Sequence, residues 1–180
     1  MSTEVDEPIR PHSPGIEMEY TTLRNEILQR IGLRQQVISI ALTLAGIFLS
    51  VGLTNELVSL IYPPLAMLLA FGWAQNDFRI RETAGYIRKY LETPESGLTY
   101  ETLTQKYRQN AKGLDTWRFV VISHGGMFLL TQAMAVVVEV LRFTPLNLSP
   151  IRLTLLTVDA ISILIVYWIM RQSNRREVSS

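Results

Sequence analysis

The sequence predicts an all-α polytopic membrane protein, in which four transmembrane helices form two hairpins beside a small cytoplasmic helical module. Three observations carry this prediction. The chain has four apolar runs of about 18 residues or more, and 18 helical residues rise roughly 27 Å, close to the thickness of a bilayer's hydrocarbon core. The first two runs contain no Lys, Arg, Asp or Glu. Lys and Arg are concentrated in the segments that flank the runs on one side.

The first 35 residues divide into two segments. Residues 1–15 hold three prolines and little to bury, which is typical of a disordered tail. Residues 16–35 carry apolar side chains at helical spacing, which predicts a cytoplasmic amphipathic helix that continues into the membrane. Its apolar positions are Ile16, Tyr20, Leu23, Ile27 and Ile31.

The first predicted hairpin spans residues 36–75, with helices at 36–53 and 57–75. Small side chains recur on one face of each helix, and such residues let helix backbones approach closely in lipid. We expect these faces to pack together, with an ion or ligand path along the Ser/Thr stripe as the alternative. The Pro63-Pro64 pair should kink the second helix. The helix-packing candidates are Ser39, Thr43, Gly46, Ser50, Pro63, Ala66 and Ala70.

Residues 76–117 form the predicted cytoplasmic helical region. A helical stripe that ends near Glu92 pairs with the 16–35 helix as a two-helix stalk. After the break at 93–97, a further amphipathic helix begins, with Thr99 as its candidate N-cap. Its apolar residues are the candidates for docking a cytoplasmic protein partner: Tyr100, Leu103 and Tyr107.

The second predicted hairpin spans residues 118–170, with helices at 119–141 and 153–170, and a polar, basic tail follows at 171–180. Unlike the first hairpin, its helices carry polar side chains on one face, in places where lipid would make them costly. These intramembrane polar candidates are His124, Thr131, Gln132, Glu139, Asp159 and Ser162.

Two interpretations of these polar residues remain open. In the first, hydrogen bonds from Asp159 to Gln132 and Thr131, and an ion pair of Glu139 with an arginine, hold the helices together for about 1 kcal/mol each. In the second, the polar face lines a water-filled path for ions or protons. In either case Asp159 should face protein or water, or be protonated, because an ionised carboxylate facing lipid costs several kcal/mol.

The distribution of positive charge predicts the orientation. Fifteen of the 17 Lys and Arg residues lie on the side of both termini, and only Arg142 and Arg152 lie on the other. Positive residues beside membrane helices favour the cytoplasmic side, and all three tryptophans fall at the same interface. We therefore expect a multi-pass protein of the cell membrane with both termini in the cytoplasm.

Composition and motifs exclude several function classes. The chain has no cysteine, so disulfides and thiolate chemistry are absent, and its net charge of +1 argues against nucleic-acid binding. It contains no H-E-x-x-H, P-loop, G-x-G-x-x-G or G-x-S-x-G motif, and its two histidines are far apart. We expect no enzyme activity, cofactor or metal site. The expected partners are the lipid bilayer, further copies of the chain as a homo-oligomer, and a cytoplasmic protein.

The layout from Ile16 to Glu92 is a cytoplasmic helix, a tight two-crossing hairpin and a returning cytoplasmic helix. In this layout the segment resembles the small prokaryotic SLATT-type membrane effectors; the hairpin from Phe119 to Met170 is an addition to their pattern. The resemblance implies a protein that perturbs the membrane when a partner signals.

The leading functional hypothesis is a membrane effector or channel-like subunit, built as a four-helix bundle, whose cytoplasmic helices receive a signal or a partner. The alternative is a non-conducting membrane anchor or accessory subunit that docks a cytoplasmic partner. A transporter is a third hypothesis, weakened because interrupted helices in inverted repeats are missing.

Overall fold

The computed structural model describes residues 14–55, 57–94, 96–110, 117–142 and 149–175, leaving aside the side chains of 108–109, 117–124, 142 and 173–175. Most of the predicted N-terminal tail and the end of the basic tail therefore lie outside the described residues. Within these ranges the protein is all-α and has no strand. Its helices are α1 (Pro14–Gly52), α2 (Tyr62–Tyr86), α3 (Tyr100–Asn110), α4 (Trp117–Arg142) and α5 (Pro150–Arg175), with a 3-10 turn at Ser59–Ile61 and a π-helical turn at Ile87–Leu91.

Helix α1 is a single 39-residue helix, about 58 Å long at 1.5 Å per residue. It passes through Gly32 without a break, because a lone glycine inside a helix costs only about 1 kcal/mol. It packs antiparallel to α2 along most of its length. At one end, Gly52 meets the 3-10 turn so closely that a Cβ there would lie 2.8 Å from the Cβ of Ser59. Glycine at residue 52 is what allows this approach.

The face of α1 that packs on its neighbours differs from the predicted one. Ser39, Thr43, Gly46 and Ser50 are all exposed, and the buried positions in this part of α1 are Ile38, Ala41 and Ala45. The hydroxyls of Ser39 and Thr43 donate to carbonyls one turn earlier in the same helix, so neither needs a partner on another helix. The face of α1 that packs on its neighbours is therefore the one with Ile38, Ala41 and Ala45, and not the predicted stripe.

On α2, the three predicted packing residues Pro63, Ala66 and Ala70 are buried. The helix begins later than the predicted residue 57, because residues 53–55 and 57–58 form turns before the 3-10 turn. Pro63 and Pro64 stand in the first turn of α2, where a missing N–H costs nothing. The two prolines therefore stand at the start of α2, not in its interior.

The helices close around three apolar clusters. The first lies among α1, α2, α4 and α5 and contains Ile38, Ala41, Ala70, Trp73, Phe128 and Val166. The second, nearer the α1–α2 turn, contains Ala45, Tyr62, Ala66 and Ala135. The third joins α1 to α2 and the π-helical turn through Ile27, Ala84, Ile87 and Leu91. We call this third region the stalk.

Two described helices are long and apolar enough to cross a membrane, by length and composition: Pro14–Gly52 and Pro150–Gln172. Helix α4 contributes a shorter apolar stretch, Gly125–Leu141. Large apolar side chains project from these helices, and Ile47, Leu130 and Leu164 are each more than half exposed. Such a surface fits lipid better than water.

Candidate functional site: buried charges along the helices

Glu139 on α4 is fully buried near the α1–α2 turn, at what we call the loop end of the helices. One carboxylate oxygen, Oε2, accepts hydrogen bonds from the Ser59 hydroxyl (3.1 Å) and from the Leu57 backbone N–H (3.3 Å). The other, Oε1, lies 3.1 Å from Nη2 of Arg152, which is buried on α5. Glu139 thus joins α4 to α5 and to the turn before α2.

The turn that Glu139 holds has an unusual backbone. Leu57 has a φ of 67°, in the left-handed region that a bulky side chain rarely occupies. Such a conformation costs about 1–3 kcal/mol and persists where the surroundings impose it. The hydrogen bond from the Leu57 N–H to Glu139 is one such constraint.

Thr131 and Gln132 link α4 to the start of α2. The Tyr62 hydroxyl donates to Thr131 Oγ1 (2.9 Å), and that hydroxyl in turn donates to the Met127 carbonyl (2.9 Å). The Gln132 amide is fully buried and its Nε2 donates to the Pro63 carbonyl (2.9 Å). Both side chains therefore act as polar contacts between helices.

Asp159 on α5 is only 1% exposed. Neither of its carboxylate oxygens has a hydrogen-bond partner among the described residues, so the expected bonds to Gln132 and Thr131 are not formed. The Ser162 hydroxyl, on the same face, donates to the Val158 carbonyl of its own helix (2.8 Å). His124 lies on α4, and its side chain is outside those described.

A second group of buried charges lies at the other end of these helices, where they join the stalk. Asp77 on α2 is fully buried and contacts Arg34 of α1 (Oδ1 to Nη1, 2.7 Å) and Arg81 of its own helix (Oδ2 to Nη2, 2.5 Å). The Arg34 guanidinium also lies 5.8 Å from the centre of the Trp73 ring, within the range of a cation–π contact. We call Arg34, Asp77 and Arg81 the junction triad.

The junction triad was not predicted from the sequence, although the register of the hairpin indicates that Arg34 and Asp77 lie opposite each other. In an antiparallel hairpin, residues equally distant from the turn lie opposite each other, as Gly52 and Ser59 do here. Arg34 and Asp77 are also nearly equidistant from Asn55 in the turn, one on each side. Opposite charges at such positions predict an ion pair between the helices.

Helix α3 is held against the stalk by its polar side. Glu101 forms a salt bridge with Arg24 of α1, and the Arg24 guanidinium lies 4.1 Å from the centre of the Tyr100 ring. The Glu92 carboxylate accepts hydrogen bonds from the backbone N–H groups of Glu101 (2.6 Å) and Thr102 (2.7 Å). Glu92 therefore supplies the side-chain cap for which Thr99 was the sequence candidate.

Glu92 is also linked to α1 through Tyr20, whose hydroxyl lies 3.5 Å from Glu92 Oε1. Burial raises the pKa of the Tyr20 phenol, and the negative charge of Glu92 raises it further. The phenol therefore stays neutral and able to donate. The π-helical turn Ile87–Leu91 brings Glu92 to this position.

The predicted docking residues Tyr100, Leu103 and Tyr107 are each more than half exposed, while Glu101 is buried against the stalk. Tyr100 still contacts the stalk through Arg24, so Leu103 and Tyr107 are the more exposed part of this apolar group. We call these three residues the α3 apolar face.

A shallow surface depression lies among α1, α2 and α4, lined by Ile38, Ala41, Leu42, Tyr62, Met127, Phe128 and Thr131. Its lining is almost wholly apolar and offers no reactive group. Across the described part of the chain, no three His, Asp or Glu residues are grouped to hold a metal ion.

No protein-family model matches this chain, and comparisons with curated proteins and with solved structures found no significant match.

Proposed function

We propose that this chain is a four-crossing membrane effector, whose stalk and α3 receive a signal or a protein partner and whose membrane helices respond by changing membrane permeability. One observation carries the proposal. Helix α1 runs unbroken from Arg24, which contacts α3, to Gly52 at the loop end. Because α1 is one continuous helix, a displacement of α3 would move the part of α1 that packs among the membrane helices.

The membrane part of the proposal has separate support. Two helices are long and apolar enough to cross a bilayer, and α2 and α4 pack along them. In the proposed four-helix bundle, α2 and α4 complete the second and third crossings. The positive charges of the junction triad then lie at the cytoplasmic interface, as the bias of Lys and Arg requires.

The layout of residues 16–92 supports an effector role in particular. It resembles that of the SLATT-type effectors, which implies membrane perturbation when a partner signals. In this chain the added hairpin covers the first one, because α4 and α5 both pack on α2. A response would require the two hairpins to shift relative to each other.

We also propose that several copies of the chain assemble, but not because the polar residues need a second copy for burial. The polar residues of α4 and α5 face other helices of the same chain, since Gln132, Glu139 and Asp159 are all at most 1% exposed. They need no second copy for their burial. Several copies are proposed because four helices in one chain enclose no generous pore.

The test is dye release from vesicles that contain the purified chain, with Arg24→Gln as the variant. This substitution removes the salt bridge to Glu101 and the cation–π contact with Tyr100, so it loosens α3. We expect a change in release rate of severalfold relative to the wild type. Arg79→Gln is the matched control, because Arg79 loses the same charge from an exposed i,i+3 pair with Glu82. The proposal would be contradicted if the wild type and Arg24→Gln both released dye no faster than protein-free vesicles.

A non-conducting anchor or accessory subunit is the second candidate, favoured by the α3 apolar face. Three large side chains exposed together on a helix are suited to docking a partner helix or groove. If this candidate is correct, a cytoplasmic partner protein should co-purify with the wild type but not with the double variant Leu103→Ser/Tyr107→Ser. No variant should then change vesicle permeability. A double variant that leaves recovery unchanged would exclude this candidate.

A further inference from the structure

The Asp159 carboxylate is the one buried acidic group of the described membrane helices that no basic side chain neutralises. Its two oxygens have no hydrogen-bond partner among the described residues, and the same holds for Oε1 of the buried Gln132. These are three oxygen acceptors in the interior without a donor. A buried acceptor left unsatisfied costs about 1–3 kcal/mol, and more for a charged group.

The register of α4 and α5 brings Asp159 and Gln132 to the same level. Two contacts fix this register: Glu139 with Arg152 at the loop end, and Gly125 against the Met170 side chain at the other end. Between them, an antiparallel pairing sets Asp159 opposite residues 132–136. The buried residues in that range are Gln132 and Ala135.

The surrounding charges leave Asp159 uncompensated. Glu139 and Arg152 form an ion pair with each other, about 10 Å nearer the loop end, since Arg152 precedes Asp159 by two helical turns. From α2, the titratable group at this level is Tyr62, whose hydroxyl is engaged with Thr131 and the Ala41 carbonyl. The net charge of these groups is therefore −1, the charge of Asp159, in an apolar interior. Proteins usually pair or neutralise such a buried charge.

We propose that Asp159, with the Gln132 amide oxygen, binds a small monovalent cation, either a proton or Na⁺. Carboxylate and amide oxygens are the ligands that hard cations prefer. One positive charge neutralises the site, whereas a divalent ion would leave an excess positive charge in the interior. The inference rests on the proposed function in that it places this site inside a membrane, and it names the ion class to which the membrane helices respond.

The first test is modification by dicyclohexylcarbodiimide, an apolar reagent that reacts with buried protonated carboxyl groups. The full chain in lipid nanodiscs is treated in choline chloride or in NaCl of equal ionic strength, at mildly acidic and mildly alkaline pH. Asp159 should be modified at the lower pH, as read by mass spectrometry of its peptide. Protection by Na⁺ of severalfold identifies Na⁺ as a ligand, and modification that depends on pH alone identifies the proton. Absence of modification under every condition overturns the site.

The second test does not depend on access of a reagent. The unfolding temperature of the wild type in detergent should change with Na⁺ or with pH, and Asp159→Asn should remove the part of that change that the site contributes, because it removes the charge at nearly constant shape. Ser162→Ala, on the same face of α5, should keep the wild-type response. Identical responses of the wild type and Asp159→Asn would overturn the site.

Failure of the site and failure of the proposed function have different signatures. A chain that shows the Asp159-dependent response but never changes vesicle permeability retains the cation site and loses the effector role. A chain that releases dye when α3 is loosened, with Asp159→Asn responding to Na⁺ and pH as the wild type does, retains the effector role and loses the site.

Discussion

Asp77 is placed so that its single carboxylate serves two arginines from different parts of the hairpin. The contact with Arg34 joins α1 to α2, whereas the contact with Arg81 stays within α2. The carboxylate is fully buried, so its charge is tolerated because both partners are present. Such a group fixes the register of the hairpin in a way that apolar contacts alone do not.

Asp77→Asn should destabilise the folded chain by about 3–5 kcal/mol, because it removes the buried carboxylate that contacts both Arg34 and Arg81. The measurement is the free energy of unfolding in mixed detergent and sodium dodecyl sulfate. Glu82→Gln is the control, since its pair with Arg79 is exposed and should be worth less than about 1 kcal/mol. Equal effects of the two substitutions would refute the structural role given to the junction triad.

The ion pair of Glu139 and Arg152 makes a different residue-scale prediction, because both partners are nearly fully buried. Glu139→Gln and Arg152→Gln should each destabilise the chain by about 3 kcal/mol. The double variant should be less destabilised than the sum by about 1–3 kcal/mol, since the two side chains contact each other and the double variant loses that contact only once. Additive losses in the same unfolding assay would show that the two side chains do not interact.

At the scale of elements, α3 is a short helix whose position depends on its cap. Eleven residues are too few for a stable isolated helix, and Leu103 and Tyr107 of its apolar face are exposed. The contacts that hold it are the Glu92 cap and the salt bridge of Arg24 with Glu101.

Glu92→Ala should release the N-terminus of α3 at a cost of about 1–2 kcal/mol, the usual range for loss of an N-cap. Hydrogen exchange should then become at least severalfold faster at the amides of Glu101 and Thr102, while amides of α2 keep their protection. Glu82→Ala is the control, because Glu82 is exposed and caps no helix. Unchanged exchange in Glu92→Ala would mean that α3 is held by other contacts.

The elements also show where sequence patterns suffice and where they do not. The periodicity of 16–35 and its continuity with the apolar run are enough to predict α1 as one helix. The start of α2 escapes prediction because the run from Leu57 is apolar on every side, so no period marks the turn. Pro63 and Pro64 suit either a kink or a first turn, and in the structure they stand in the first turn of α2.

The packing face of α1 shows a second limit of sequence patterns. The stripe with Ser39 and Thr43 and the stripe with Ile38, Ala41 and Ala45 lie roughly 140° apart about the helix axis, at about 100° per residue. Both consist largely of small side chains, so composition does not separate them. The hydroxyls decide the outcome, because they are satisfied within their own helix and tolerate exposure. Likewise, the burial of Glu139 and Asp159 follows from the register of α4 and α5.

At the scale of the whole molecule, buried charges divide the helices into levels. The Glu139–Arg152 pair lies at the loop end, Asp159 about two turns deeper, and the junction triad at the start of the stalk. Two apolar clusters pack the helices between the loop end and the junction triad. In the proposed effector, ion pairs thus mark both membrane interfaces, and Asp159 is the charge left between them.

The central claim, four crossings with both termini and the α2–α4 segment in the cytoplasm, is tested most directly by single-cysteine labelling in intact cells. The chain has no cysteine, so each introduced thiol reports alone. A membrane-impermeant maleimide should label Thr54→Cys and Ser149→Cys from outside, and Thr93→Cys only after the membrane is permeabilised. Labelling of Thr93→Cys in intact cells, or protection of Thr54→Cys, would contradict the account.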